Sequence, residues 1–293
     1  MLDMKKKTAA AKFMKDKWEL EDVQVAFICA VKDEYDAFLA YLEHNKIQTR
    51  KANKIEAGIG AQRFLLNTKT GDVPCIVVRQ LQAGMTAACF VCGRVLERCK
   101  PELVVMPGIC GGVEGKVNRG DLIVPDITFD YCAGKFNNKG EFQAQSRQRD
   151  LPPAVIDCVL GSERHMQAIF DTCDPAVFKA KMKGGNTVLI DRDNIKLVQG
   201  PMGTGGSVVN YAPIIDRLKP IQRDMVAYDM EAYAVAYMCD KYFNKKPTPW
   251  LVVKGVQDLP TTDDEQKGMY TQAAAQTSIA FAIDVAKRFA QEN

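Results

Sequence analysis

Trp250-Leu251-Val252-Val253-Lys254-Gly255-Val256-Gln257-Asp258-Leu259-Pro260 reads as a strand covered on both faces. Its leading apolar residues run on without the alternation of a half-exposed strand. Gly255 interrupts the run where another backbone or a ligand comes close. Asp258 falls where the strand should end, and Pro260 stops further pairing. Ligands of open α/β sheets bind at the carboxyl ends of strands. An acid there can be partly desolvated and can hold a proton near neutral pH. Taken alone, Asp258 fits a cap on the next helix or loop better than a catalytic acid.

Outward from this strand, parallel-type apolar runs alternate with helical patterns. Met269–Phe289 reads as an Ala-rich amphipathic helix that ends the chain, and Val226–Asp229 leads through Met230 and Glu231 into a helix reaching about Tyr242. Val23–Val31 is a buried strand, followed by Lys32-Asp33-Glu34 at the start of a helix with Phe38, Leu39, Tyr41 and Leu42 on one face. Acids in a first helical turn complement the helix dipole, which is the plain reading of Asp33, Glu34, Asp36 and Glu231. Strands are expected at 63–67 and 75–81, and a helix over Ala87–Lys100.

Leu103–Met106 reads as a strand running into a glycine-rich loop, Pro107-Gly108-Ile109-Cys110-Gly111-Gly112. Such glycines let backbone N–H groups approach a ligand. The spacing is neither that of a dinucleotide fingerprint nor that of a P-loop. A second glycine-rich loop is expected over Gln199–Ser207. Segment 137–185 is polar and poorly periodic, which suits a lid, an interface element or a tolerated insertion, with a loop at 143–149 and short helices at 152–160 and 176–182. The architecture expected is α/β with a mainly parallel sheet.

Composition narrows the function. The chain has 293 residues, 47% apolar content and a mean hydropathy of −0.18, typical of a globular protein with ample core. A net charge of +3 implies no nucleic-acid surface, and no apolar run approaches a membrane span. The ten cysteines sit mostly within apolar runs, as reduced buried thiols do, which fits a cytoplasmic compartment; the pair Cys89-x-x-Cys92 has no second pair at zinc spacing. No metal or cofactor is expected. Residues 1–22 form a basic extension, read as a solvated arm, and residues 23–293 form one domain.

Four segments, taken in order, resemble the purine and uridine phosphorylase superfamily, and within it the methylthioadenosine/S-adenosylhomocysteine nucleosidases. They are Ala30-Val31-Lys32-Asp33-Glu34, Gly108-Ile109-Cys110-Gly111-Gly112 with Gly120-Asp121, Asp229-Met230-Glu231-Ala232, and Gly255-Val256-Gln257-Asp258. The resemblance implies a nucleoside phosphorylase-like fold, a central mixed sheet flanked by helices and curling towards a barrel. It also implies a nucleoside cleft often completed by a neighbouring subunit, hence a homo-oligomer. By the same resemblance Asp258 is the acid facing the purine ring, Glu34 activates water, and Met230 and Glu231 lie beside the ribose, with Asp229 the acid just before them. Ile109, Cys110 and Gly111 form the ligand loop, and Gln257 stands where a small hydroxyl residue is usual.

The departures favour hydrolysis. Met106 and Ile109 occupy positions where the phosphorylases hold phosphate with arginine and serine, and neither side chain donates a hydrogen bond. The loop at Met202–Thr204 lacks the aromatic that stacks on the base in adenine-releasing relatives. Cleaving an N-glycosidic bond passes through an oxocarbenium-like state, which calls for an acid (Asp258), a ribose contact (Glu231) and an activated water (Glu34). Two alternatives stay open: a phosphorylase recruiting phosphate through Arg79 or Lys254, and a catalytically weak nucleoside-binding module.

Overall fold

The structure, a computed structural model, describes residues 19–292 apart from 53–54, 56–58, 182–184, 186, 210–211, 219, 242–245, 263–265 and 267. The basic stretch 1–18 lies outside the described residues. In chain order the elements are β1 (Val25–Cys29), α1 (Lys32–His44), β2 (Thr49–Lys51), β3 (Gly60–Thr68), β4 (Gly71–Arg79), α2 (Met85–Cys99), β5 (Leu103–Gly112), β6 (Leu122–Val124), β7 (Ile127–Asp130), β8 (Gln148–Asp150), α3 (Pro153–Glu163), α4 (Met166–Phe170), β9 (Leu197–Gln199), β10 (Met202–Thr204), α5 (Ala212–Leu218), β11 (Ala227–Asp229), α6 (Ala232–Lys241), β12 (Trp250–Asp258) and α7 (Thr271–Glu292). Two small hairpins stand apart, Gly134–Phe136 with Phe142–Ala144 and Lys179–Lys181 with Thr187–Leu189.

The main sheet is mixed and, among the described residues, has twelve strands in the order β8-β7-β10-β11-β5-β1-β4-β3-β2, with β12 on the other edge of β5 and β6 joining β12 to β9. β5 is the hub. Its first residues pair in parallel with β1, its last pair antiparallel with β11, and its other edge carries β12 in parallel. The ends of β1, β5, β11 and β12 therefore meet in one region.

The quoted stretch forms β12 as expected. Trp250 to Val256 are buried, and α7 packs across β12 and β5. Gly255 admits a backbone: a Cβ there would overlap Ala274 of α7. The alanines of α7 allow that approach, with Ala273, Ala274, Ala275, Ala280 and Ala282 all buried. Below the sheet, Phe27, Phe38 and Phe64 cluster with ring centroids 5.0 to 5.8 Å apart, joining β1, α1 and β3. Each fully buried side chain of this size contributes about 1.5–3 kcal/mol of transfer free energy.

Several expectations are corrected. Pro107–Gly112 is strand, not loop, because β12 pairs with β5 as far as Gly111 and β11 takes over at Gly111 and Gly112. Ile109, Cys110 and Gly111 thus lie within β5. The glycine-rich stretch at 199–207 contains β10, paired on both edges by β7 and β11. Residues 143–149 include strand residues of the first hairpin and of β8, and 176–182 begins as a 3₁₀ turn, Pro175–Phe178, that runs into the strand Lys179–Lys181. Tertiary pairing overrides the local polar, turn-like composition in all four.

Candidate active site

Glu34 is the third residue of α1 and is 2% exposed. One oxygen, Oε2, accepts the backbone N–H groups of Ala30 (2.7 Å) and Val31 (3.3 Å), closing the turn between β1 and α1. The plain helix-start reading is therefore satisfied by that half of the carboxylate. The other oxygen, Oε1, reaches across to β5 and β12, accepting from Ile109 N–H at 2.9 Å and Lys254 Nζ at 3.4 Å. Gly108 makes this reach possible, since a Cβ there would overlap the Glu34 carboxylate and crowd Lys254.

Lys254 is the residue that sequence reasoning undervalued. It sits in the middle of β12 with no exposed surface. Burial favours its neutral form, but Glu34, Asp229 and Glu231 outweigh that and hold the ammonium charged, with its pKa above the usual lysine value. A lysine inside a continuous apolar strand was the available signal, because a buried charge needs buried partners. Removing it by Lys254→Met would strand the carboxylates without their cation. Breaking a buried pair from one side costs about 3–5 kcal/mol, so chemical denaturation should reveal a large stability loss. A denaturation midpoint unchanged from wild type would mean that the ammonium does not balance this cluster.

Glu231 lies between β11 and α6 and is 5% exposed. Its Oε1 accepts the N–H of Gly84 at 2.6 Å, at the start of α2. Gly84 has a φ of +111°, which only glycine adopts readily. Burial, then the neighbouring Asp229 charge, push the Glu231 pKa up to about 7 against the pull of Lys254. Asp229 is occupied inside the protein. Its Oδ1 accepts the Thr204 hydroxyl at 2.8 Å, and its Oδ2 accepts Ala232 N–H at 2.9 Å, capping α6. Burial raises its pKa too. The Thr204 hydroxyl in turn accepts Tyr233 N–H at 3.0 Å. Met230, between the two acids, is half-buried.

Asp258 ends β12 beyond a register irregularity after Val256 and stands opposite Gly111. It is half-exposed and, among the described residues, accepts one long bond, from Gly268 N–H at 3.4 Å. Among the described residues it caps no helix, since α7 begins at Thr271. Gln257 is tied down instead, its Oε1 accepting the Thr271 hydroxyl at 2.9 Å. The Gly120-Asp121 motif clamps this strand end: Gly120 N–H donates to the Val256 carbonyl (2.7 Å) and Val256 N–H to the Asp121 carbonyl (2.9 Å). The buried Asp121 carboxylate accepts Asn118 and Lys196 N–H groups.

The β5 glycines serve side chains of the protein itself. Gly108 makes room for Glu34 and Lys254, and Gly111 for the Tyr228 ring. Cys110 is buried beside Lys254, Asp229 and Glu34, with its thiol pKa pushed up by burial. Met106 is fully buried and half-buried Ile109 has its N–H engaged by Glu34. Among the described residues no group of His, Cys, Asp and Glu side chains could hold a metal ion, and no helix is long and apolar enough to cross a membrane. The structure brings Glu34 and Glu231 together around Lys254, with Asp258 at the end of the strand that carries Lys254.

Sequence comparison detects relatives across this architecture. An uncharacterized protein, y4jS, of Sinorhizobium fredii is 28% identical over 231 residues, covering 76% of this chain and 51% of that protein, so the match spans about half of the relative's length. The 5′-methylthioadenosine/S-adenosylhomocysteine nucleosidase of Bacillus subtilis is 21% identical over 269 residues, covering 91% and 99%. Among solved structures, the nucleosidase of the same description from Neisseria meningitidis, in complex with methylthio-immucillin-A, superposes with a TM-score of 0.67 at 16% identity, over 90% of this chain and 99% of that one. The profile of the Phosphorylase superfamily matches residues 24–291, from β1 to the end of α7, and the chain belongs to that family.

Proposed function

We propose that the chain hydrolyses the N-glycosidic bond of a purine nucleoside, of the 5′-methylthioadenosine/S-adenosylhomocysteine kind, to free base and sugar. The observation that carries this reading is the meeting of Glu34 and Glu231 around the buried Lys254, with Asp258 at the end of the same strand. Glu34 and Lys254 are 220 residues apart in sequence, so folding alone brings them together. Asp258, half-exposed at the end of β12, is the acid we assign to the departing base. Glu231 binds Gly84 through one oxygen, and its other oxygen accepts the ribose hydroxyls and favours the cationic ring.

Glu34 activates the water. Its four donors, Ala30, Val31, Ile109 and Lys254, match the roughly four lone-pair sites of a carboxylate. Water therefore enters in place of a long contact, that of Lys254 or Val31, while Lys254 still attracts the carboxylate across the gap. Phosphorolysis is disfavoured because Lys254 is enclosed and already engaged by carboxylates, and Met106 offers no donor. The reduced thiols fit a cytoplasmic setting, and the exposed, tilted ring pair of Phe136 and Phe142 suits a homo-oligomer. Incubation with a purine nucleoside panel, with and without phosphate, tests the reading. Base release in both buffers is expected; release from no member, in either buffer, would leave a binding module.

Glu231 gives this scheme a pH signature. Its folded pKa of about 7 lies above its ordinary 4.5, so between those values the folded protein holds a proton that the unfolded chain has released. Stability from this group is therefore present at low pH and lost as pH rises through about 7, on the order of 3 kcal/mol in all. Glu231→Gln should gain melting temperature at alkaline pH and little at acid pH. The same ionisation should set an acidic limb in kcat/KM, and the variant should lose both that limb and most of its rate, less so on 2′-deoxynucleosides. A variant that loses melting temperature and keeps kcat/KM would make Glu231 a helix-start residue only.

A further inference from the structure

Strand register links Asp258 to a row of residues not yet accounted for. Asp258 stands opposite Gly111, Gly111 opposite Tyr228, Tyr228 opposite Gly203, and Gly203 opposite Phe129. Directly paired residues share a face of the sheet. Two positions beyond Phe129, Tyr131 continues on that face, its N–H donating to the Thr204 carbonyl at 3.1 Å as the ladder runs on past β7. Two members of the row are glycines, and rings fill the space above them. A Cβ on Gly111 would overlap the Tyr228 ring; beyond the row, one on Gly205 would overlap the ring and hydroxyl of Tyr131. Tyr131 also borders Gly203.

The two tyrosines differ at their polar ends. The Tyr228 hydroxyl donates to the Val209 carbonyl at 3.1 Å. The Tyr131 hydroxyl is fully enclosed and has no hydrogen-bond partner among the described residues. The residue as a whole is 8% exposed. An enclosed hydroxyl without a partner works against folding, and a bound ligand is one source of the missing acceptor. Tyr228 stands between Asp258 and Tyr131 along this row, which ties the unpartnered hydroxyl to the strand end that carries Asp258.

We infer that Tyr131 contacts the leaving heterocycle, its hydroxyl donating a hydrogen bond to an acceptor atom, a ring nitrogen or carbonyl oxygen, on the base. This rests on the nucleosidase reading and adds to it a residue that selects among bases. Burial, with Asp229 and Asp130 nearby, pushes the Tyr131 pKa up, so the group is a protonated donor at neutral pH. A base with a hydrogen-bond donor at that edge meets donor against donor and is rejected. The ring also supplies an aromatic surface beside Met202–Thr204, where the strand itself has none.

The test pairs Tyr131→Phe with Tyr228→Phe in the full chain. Melting temperature is measured without ligand, affinity by titration with adenine, hypoxanthine and the 1-, 3- and 7-deaza adenines, and kcat/KM on the corresponding nucleosides. Tyr131→Phe should keep or raise the melting temperature, because it removes an unpartnered hydroxyl, and should weaken wild-type-preferred bases about tenfold. One deaza analogue, lacking the acceptor, should bind wild type and variant equally. Tyr228→Phe, which loses a made bond, should lower the melting temperature. If Tyr131→Phe leaves every base affinity and kcat/KM unchanged while wild type hydrolyses nucleosides, this inference fails and the nucleosidase reading stands. If wild type neither binds a base nor releases one, the nucleosidase reading fails and takes this inference with it.

Discussion

Asp258→Asn should leave a folded protein whose base release is slower by about 10²–10⁴-fold, the usual cost of losing a general acid. The fold should survive because the carboxylate is half-exposed and, among the described residues, accepts one long bond, from Gly268 N–H. The clamp that ends β12 is made by Gly120, Asp121 and Val256 rather than by Asp258. Asparagine keeps the shape and a hydrogen-bond donor but has no proton to release. The loss should therefore be greatest for substrates with poor leaving bases and smallest for an activated base that departs without protonation. Rates on a leaving-group series check this. Near-normal turnover on every member would return Asp258 to a loop residue.

Glu34→Gln should remove most of the remaining chemistry, again by about 10²–10⁴-fold, because an amide cannot take a proton from water. The amide oxygen can still accept from Ala30 or Ile109, but the NH₂ end then faces backbone N–H groups or Lys254. A structural penalty is therefore expected alongside the kinetic one. The two separate in a substrate-binding measurement: affinity for a non-hydrolysable nucleoside should change little, while kcat falls. Parallel loss of affinity and kcat would place Glu34 among the framework residues only.

Much of this site is written in local sequence, and its missing parts share a cause. β12 was legible because an uninterrupted apolar run with Gly255 and a terminal Asp258 has few other readings. The α1 start was legible from Glu34 and the apolar positions behind it. The glycine-rich end of β5 was not. Glycine favours loops when read locally, yet here β12 and β11 hold it as strand, and its glycines are required by Glu34, Lys254 and Tyr228 from distant segments. The Gly84 bond to Glu231 spans 147 residues and the Thr204 bond to Asp229 joins two strands, so neither has a local signature. Asp229 is likewise set by other elements: its two oxygens accept from the Thr204 hydroxyl and from Ala232 N–H at the start of α6.

The second substrate separates hydrolysis from phosphorolysis most directly. Lys254 is enclosed, contacts Glu34 and is held charged by Glu34, Asp229 and Glu231, and Met106 is buried and apolar. A phosphate dianion approaching Glu34 would meet negative charge in a low-dielectric setting, whereas neutral water would not. The measurement is the identity of the sugar released from a purine nucleoside in phosphate-free buffer and again with phosphate added. Free ribose, or its 5′-substituted form, at a rate that phosphate does not raise is the expected result. Ribose 1-phosphate, with base release that stops when phosphate is removed, would contradict it.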